Sequence, residues 1–247
     1  MADIIKKHKH RIQYPFRVSN DLILSKHDLS AASQDALILI GLKINQQDFE
    51  ENLVNDAIIR LSNKETQDLL KTDHRNIKTI FKRLREESIE IPIEYKNNIP
   101  VKFRTTGLVL RFDYDISKAE YVVHIDEKIR PHFAHLGKYI EELKYTIGNS
   151  NEHFSLTFKH SKRLYLYFRK IQFQDIWRKR VTIEELNTMF KTNYKRYVDF
   201  NRRVLELAVV EINEKTNIKV HYQPQKSQGS RAYDEIVFDL EFKDVLK

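Results

Sequence analysis

The stretch Arg180 to Thr216, RVTIEELNTMFKTNYKRYVDFNRRVLELAVVEINEKT, decides the fold. It predicts a short helix, a tight turn and a long second helix with two unlike faces. At 100° per residue, Tyr197, Phe200, Val204, Leu205, Ala208 and Ile212 gather on one side, and Lys195, Asp199, Arg202, Arg203 and Glu206 on the other. The outward face is basic in its first two turns and turns acidic at Glu206 and Glu211, which suits a helix that enters a DNA groove by its N-terminal end. This is the pattern of a recognition helix.

Downstream, Ile218 to Tyr222 and Glu235 to Phe242 alternate apolar and polar residues around QPQKSQGSR, a strand, a loop and a strand with Lys226 and Arg231 near the tip. A helix-turn-helix followed by such a hairpin is a winged helix. Upstream, Lys159 to Lys170 reads as a helix that turns Leu164, Tyr165 and Phe168 inward.

The same description fits the first half of the chain. SNDLILSKHDLSAASQDALILIGLKI, from Ser19, suggests an extended lead-in and then a helix capped near Ser30, with Leu37, Ile38, Ile40 and Leu42 buried. Ala57 to Leu61 reads as a brief strand. Ser62 and Glu65 have capping-box spacing, a turn falls near Asp73, and the helix that follows sets Ile77, Ile80, Phe81 and Leu84 against Arg75, Thr79, Lys82 and Arg83. Strand-like runs follow at Ile89 to Tyr95, Val101 to Tyr114 and Tyr121 to Ile125.

At a constant shift of about 120 positions, Arg60 matches Arg180, Glu65 matches Glu185, Lys71 and Thr72 match Lys191 and Thr192, Arg83 matches Arg203 and Glu86 matches Glu206. Leu61 falls on Val181, Leu69 on Met189, Leu70 on Phe190, Ile77 on Tyr197, Ile80 on Phe200 and Leu84 on Val204. The expected fold is therefore α+β, two tandem winged helices related by pseudo-symmetry. Asp126 to Leu136 looks like a helix interrupted at Pro131, and KYTIGNSNE, Lys144 to Glu152, reads as the linker. The division falls between residues 1–148 and 149–247.

Composition sets limits on function. Of 247 residues, 41% are hydrophobic, enough for a real core, and 43 Lys and Arg against 35 Asp and Glu give a net charge of +8, a bias toward polyanions. With no Cys there is no disulfide, thiolate zinc site or cysteine nucleophile. Gly41, Gly107, Gly137, Gly148 and Gly229 are too dispersed to write GxGxxG, GxxxxGK or GxSxG, so the usual nucleotide-hydrolase and esterase signatures are missing. No run reaches the length of a membrane span, and the expectation is a cytoplasmic protein that needs no cofactor.

The candidate DNA contacts are Lys195, Arg196, Arg202 and Arg203 on the recognition helix, Lys191, Asn193 and Tyr194 in the turn before it, and Lys226 and Arg231 on the wing. In the first unit Arg75, Asn76, Lys82 and Arg83 hold the corresponding places. The plain alternative is a solvated face with internal pairs such as Asp199 with Arg203 or Arg202 with Glu206. Tyr194 is as fit for the core as for phosphate. Trp177, Tyr165, Tyr167, Phe168 and Phe173 suit a core better than a base-stacking platform. His132 and His135 lie three apart without further ligands, and His8, Lys9 and His10 fit a charged tail better than the His-hydrophobic-His of a nicking enzyme.

SNDLI at Ser19 to Ile23, Leu29 and Ser30, SKRLY at Ser161 to Tyr165 and RRVLELAVVEINEKT at Arg202 to Thr216 give the chain a family likeness. It resembles the Rep-type replication initiators of iteron-containing plasmids over most of its length, departing at LYF after SKRLY and at Leu207, where a proline is common. The resemblance implies a non-enzymatic initiator. Its C-terminal unit would supply the main contacts to directly repeated double-stranded origin sites, and its N-terminal unit dimerisation and further DNA contacts. It also implies a monomer–dimer equilibrium, repression of its own promoter by the dimer, and a host initiator ATPase and replicative helicase as partners. Its rivals are a transcriptional repressor of the same fold with no origin role, and an endonuclease that nicks DNA through a tyrosine.

Overall fold

Ser62 and Thr182 each end a strand and begin a helix, and around them the chain folds twice in the same way. The computed structural model describes residues 15–50, 58–96, 99–126, 128–134 and 145–243. The first unit runs β1 (Pro15–Ser19), α1 (Asn20–Leu24), α2 (Ala31–Glu50), β2 (Ile58–Ser62), α3 (Asn63–Leu70) and α4 (His74–Glu86). It continues with β3 (Ser88–Lys96), β4 (Ile99–Gly107), β5 (Val109–Asp115) and β6 (Glu120–Ile125). The chain goes on through β7 (Tyr145–Asn149), α5 (Ser150–Ser155) and α6 (Lys159–Phe173), and the second winged helix follows with β8 (Arg178–Thr182) and α7 (Ile183–Phe190). Then come α8 (Tyr197–Phe200), a π turn (Asn201–Leu205), α9 (Glu206–Lys215), β9 (Ile218–Gln225) and β10 (Glu235–Phe242).

Each unit closes an antiparallel three-stranded sheet in the same order, β2-β6-β5 and β8-β10-β9, so the strand before the helix-turn-helix pairs with the last strand of the wing. The repeat extends to the backbone: Lys71 and Lys191 end α3 and α7 in the left-handed conformation, at φ 50° and 53°. The two winged helices expected from the sequence are thus present. The hairpin β3–β4, which directly follows α4, forms a separate two-stranded sheet, and β5–β6 is the wing of the first unit.

Local chemistry accounts for the element ends. Thr182 and Glu185 form a reciprocal capping box, Glu185 N donating to Thr182 Oγ1 at 3.0 Å and Thr182 N to Glu185 Oε2 at 2.7 Å. The box expected at Ser62 and Glu65 does not form. Lys43 on α2 takes the Glu65 carboxylate at 2.8 Å, and Ser62 makes no side-chain cap bond. A charged donor outcompetes a neutral backbone amide for that carboxylate. Ser30 does cap α2, accepting from Ser33 N at 3.1 Å. The lead-in before it is not wholly extended: Ser19 caps α1 by accepting from Leu22 N at 3.2 Å. At Pro131 the described residues form one 3-10 turn, Arg130–His132, and His132 Nδ1 lies 2.6 Å from Ser19 Oγ. His135, and likewise His8, Lys9 and His10, lie outside the described residues.

The stretch read as a linker is strand β7 and the start of α5. Its glycine and asparagines serve packing and capping. β7 pairs antiparallel with β1, Gly148 opposite Phe16, and a Cβ on Gly148 would overlap the Phe16 ring. Asn149 caps α5, accepting from Asn151 N at 3.0 Å. The pairing is one seam between the N-terminal segment and the middle of the chain. A second seam joins α2 and α6. Arg163 donates to the carbonyls of Ser25 and His27, Gln34 Nε2 to Lys159 O at 3.1 Å, and Lys162 Nζ to Asp35 Oδ1 at 2.6 Å.

Tyr165 and Phe168 are wholly buried and Tyr167 nearly so, as expected of core, but Trp177 is 52% exposed, its ring resting edge-on against Phe242. No helix among the described residues is long and apolar enough to cross a membrane.

Candidate nucleic-acid interface

Phe200, Val204, Leu205, Ala208 and Ile212 are fully buried, which fixes the rotation of the helix from Tyr197 to Lys215 and turns Arg202, Arg203 and Glu206 outward. Burial of Phe200 alone is worth about 3–5 kcal/mol against alanine, enough to hold that orientation. Arg202 and Arg203 sit within the π turn. Asn201, in the same turn, accepts from Tyr222 Oη at 2.6 Å and Tyr197 Oη at 3.2 Å, tying this irregular segment to wing strand β9. Single-turn π insertions within α-helices are frequent at functional sites.

The turn before the helix is built by Asn187, which sequence reasoning did not single out. Its Oδ1 accepts from Thr192 Oγ1 at 2.8 Å and Tyr194 N at 3.0 Å, and its Nδ2 donates to Tyr194 O at 2.9 Å. The signal was faint: an amide side chain in the last turn of a helix, able to satisfy backbone groups that the helix end leaves free. Tyr194 takes the core role, half-buried with its ring 5.9 Å from that of Phe200. Lys191 and Asn193 remain exposed at the turn.

The basic side chains differ in freedom. Arg196 Nε donates to Asp199 Oδ2 at 2.7 Å, and Arg202 approaches the other carboxylate oxygen at 3.9 Å. The bond from Arg196 is the main cause holding the Asp199 carboxyl below its ordinary range. The internal pairs therefore run to Arg196 and Arg202. Arg203 instead lies over the Tyr194 ring, 6.0 Å from its centroid. Lys195 is exposed. Glu211, expected on the outer acidic face, is buried. It accepts from Thr157 N at 2.7 Å and Phe158 N at 3.1 Å and so anchors the start of α6.

The wing loop has its own order. Asp234 accepts from Ser227 N at 2.7 Å and from the Ser227 hydroxyl, and Gly229 supplies a φ of 84° that a side chain would resist. Lys226 Nζ lies 5.4 Å from the Tyr233 ring, whose other neighbour is Tyr197 at 5.9 Å. Lys226 is thereby held near the N-terminal end of the recognition helix, and Arg231 is exposed at the tip. In the first unit Arg75, Asn76, Lys82 and Arg83 are all exposed on α4, whose N-cap Asp73 accepts from Asn76 N at 2.8 Å.

A family model described as the initiator replication protein WH1 domain matches residues 16–169, and one described as the initiator Rep protein WH2 domain matches residues 182–240. A crystal structure of Pi initiator protein in complex with iteron DNA is similar at TM-score 0.66 and 16% identity, covering 95% of this chain and 100% of that one. Domains 2 and 3 of RctB align at TM-score 0.49 and 12% identity, over 86% of this chain and 83% of that one. A search of curated protein sequences gave no match.

Proposed function

The chain belongs to the initiator Rep protein family, and from that premise we propose that it initiates plasmid replication by binding repeated double-stranded DNA sites, iterons, at its own origin. The observation that carries this reading is the exposed basic group at the start of the recognition helix, Lys195 and Arg196 just before it and Arg202 and Arg203 within it, with Lys226 of the wing steered toward the same end. Side chains so placed can meet base edges from the helix and phosphates from the wing. The likeness to a Pi initiator seen with iteron DNA supports the same assignment.

In this reading the unit from residue 149 onward makes the main contacts, and the unit ending at residue 148 adds contacts through Arg75, Asn76, Lys82 and Arg83. The protein acts in the cytoplasm, self-associates and carries out no bond-breaking chemistry of its own. A competition gel shift tests the central claim. Fragments of the replicon that encodes the chain are set against random duplex at two salt concentrations. Stepped complexes on one repeat-bearing fragment are expected. Equal binding to every fragment, lost together as salt rises, would overturn the assignment. Supercoiled DNA incubated with the protein and magnesium or manganese is expected to stay intact.

A further inference from the structure

Val198 stands out on the basic face. It is the second residue of α8 and 67% exposed, in a helix that buries its other large apolar side chains up to Val204 and Leu205 wholly or in part. Exposed cations flank it on either side in the chain, Lys195 and Arg196 in the turn and N-cap just before the helix and Arg202 one turn further on, in the π segment. Arg196 is drawn aside to Asp199, which leaves the valine projecting between cations. At the corresponding position of the first unit the chain carries Lys78, exposed and 5.5 Å from the Tyr114 ring. A solvated surface accommodates lysine there. The second unit has instead a short, stiff, apolar group with no hydrogen-bonding capacity.

A protein partner is a poor fit to a lone valine ringed by Lys195, Arg196 and Arg202. A polyanion fits the charges, and the major groove of DNA offers one apolar feature, the C5-methyl of thymine. We infer that Val198 reads a thymine methyl in each repeat, giving the second unit a base preference that the first unit lacks at its Lys78. The inference rests on the reading of this helix as the groove-inserted element. Leu207 and Val210 are also exposed, but Glu206 and Glu214 beside them mark the end of the helix that faces away from phosphate.

Replacing thymine by deoxyuracil removes that methyl and nothing else. Duplexes carrying one repeat, with each thymine changed singly, are titrated against the full chain and against Val198→Ala and Val198→Lys, each checked for unchanged thermal unfolding. One thymine position is expected to cost the unsubstituted protein about fourfold in affinity, the worth of one buried methyl group. Val198→Ala is expected to lose the same factor on thymine duplex and to bind thymine and uracil duplexes alike. Val198→Lys is expected to bind random duplex more tightly while losing the thymine preference. If the protein prefers repeats to random duplex yet every uracil is neutral, or if Val198→Ala keeps full sensitivity to the methyl, the inference fails and the initiator reading stands. If no preference for repeats exists, both fail together.

Discussion

Lys162 on α6 and Asp35 on α2 form a 2.6 Å ion pair between helices far apart in the chain, with the lysine side chain wholly shielded from solvent. The ammonium also donates to His153 O at 2.7 Å. Burial pushes the Asp35 carboxyl up to about 7 against the pull of the lysine, and pushes the lysine down. Such a pair adds little over an apolar replacement, but losing one partner strands a charge. Lys162→Met should cost about 3–5 kcal/mol in urea unfolding, and Lys162→Met with Asp35→Asn distinctly less. Without the lysine's pull the Asp35 carboxyl rises further above its ordinary value and binds its proton still more tightly when folded, so the single variant should recover stability relative to the natural chain as pH falls from about 8 toward 5. A double variant as unstable as the single one would show that a stranded Asp35 charge is not the source of the loss.

Arg202 and Arg203 should separate base reading from phosphate binding. Replacing either by alanine is expected to cost about 1–3 kcal/mol at the specific repeat if the side chain bonds a base edge, with a smaller loss on random duplex. Arg203 is steadied over the Tyr194 ring, whereas Arg202 shares its charge with Asp199, so Arg203→Ala is expected to show the larger specific loss. Fluorescence anisotropy on repeat and random duplexes decides it, with equal losses on both pointing to phosphate alone.

Lys226 and Arg231 on the wing are expected to behave as phosphate ligands. Lys226→Ala should weaken binding to every duplex alike and lower the slope of log affinity against log salt by about one, and Arg231→Ala likewise. Tyr233→Ala should reproduce part of the Lys226 effect, because the ring lies between Lys226 and Tyr197. A salt titration that leaves the slope unchanged in Lys226→Ala removes the wing from the interface.

Asn187 illustrates where the sequence was legible and where it was not. The buried face of the recognition helix was readable because Phe200, Val204, Ala208 and Ile212 recur at helical spacing, and the wings because β9 and β10 alternate. The repeat was readable since β2 and β8, and α3 and α7, coincide under one shift. Periodicity reports which side of an element is dry, however, and says nothing about which polar group a side chain serves. Asn187, Asn201 and the seam at Lys162 depend on partners distant in sequence or in an irregular turn. Glu211 was misread for a different reason. It follows Val204 by seven residues and so lies on the same buried side of the helix; a charge suggests exposure, but here it serves the buried amides at the start of α6. Gly148 and Asn149 were misread because turn-forming residues also serve where a ring must lie close to the backbone, or at a helix cap.

Asn187→Ala removes three hydrogen bonds that define the turn, and should destabilise the protein by about 1–3 kcal/mol. It should also weaken DNA binding at temperatures where the variant remains folded, because Tyr194 would no longer be held by its backbone and Arg203 stacks on that ring. Asn187→Gln reaches one methylene too far and is expected to rescue neither. Normal DNA affinity in a destabilised Asn187→Ala would confine the residue to stability.

Glu211 gives the fold an acid limb. Burial alone would raise its carboxyl, but bonds from Lys215 and Thr157 outweigh that and hold it at about 2, against an ordinary value of 4.5. A carboxyl with a depressed folded-state pKa contributes stability that is fully present above its unfolded value and lost as the folded form takes up its proton. The contribution of Glu211 should therefore be intact above about pH 4.5 and fall away between there and about pH 2. Glu211→Gln keeps the shape but loses the charge-assisted bonds to the Thr157 amide and hydroxyl, and should cost about 1.5–3 kcal/mol at neutral pH. Its stability should vary less between pH 5 and pH 2 than that of the natural chain. Parallel curves for the two proteins across that range would mean that other carboxylates carry the acid limb and that Glu211 serves only as a neutral cap of α6.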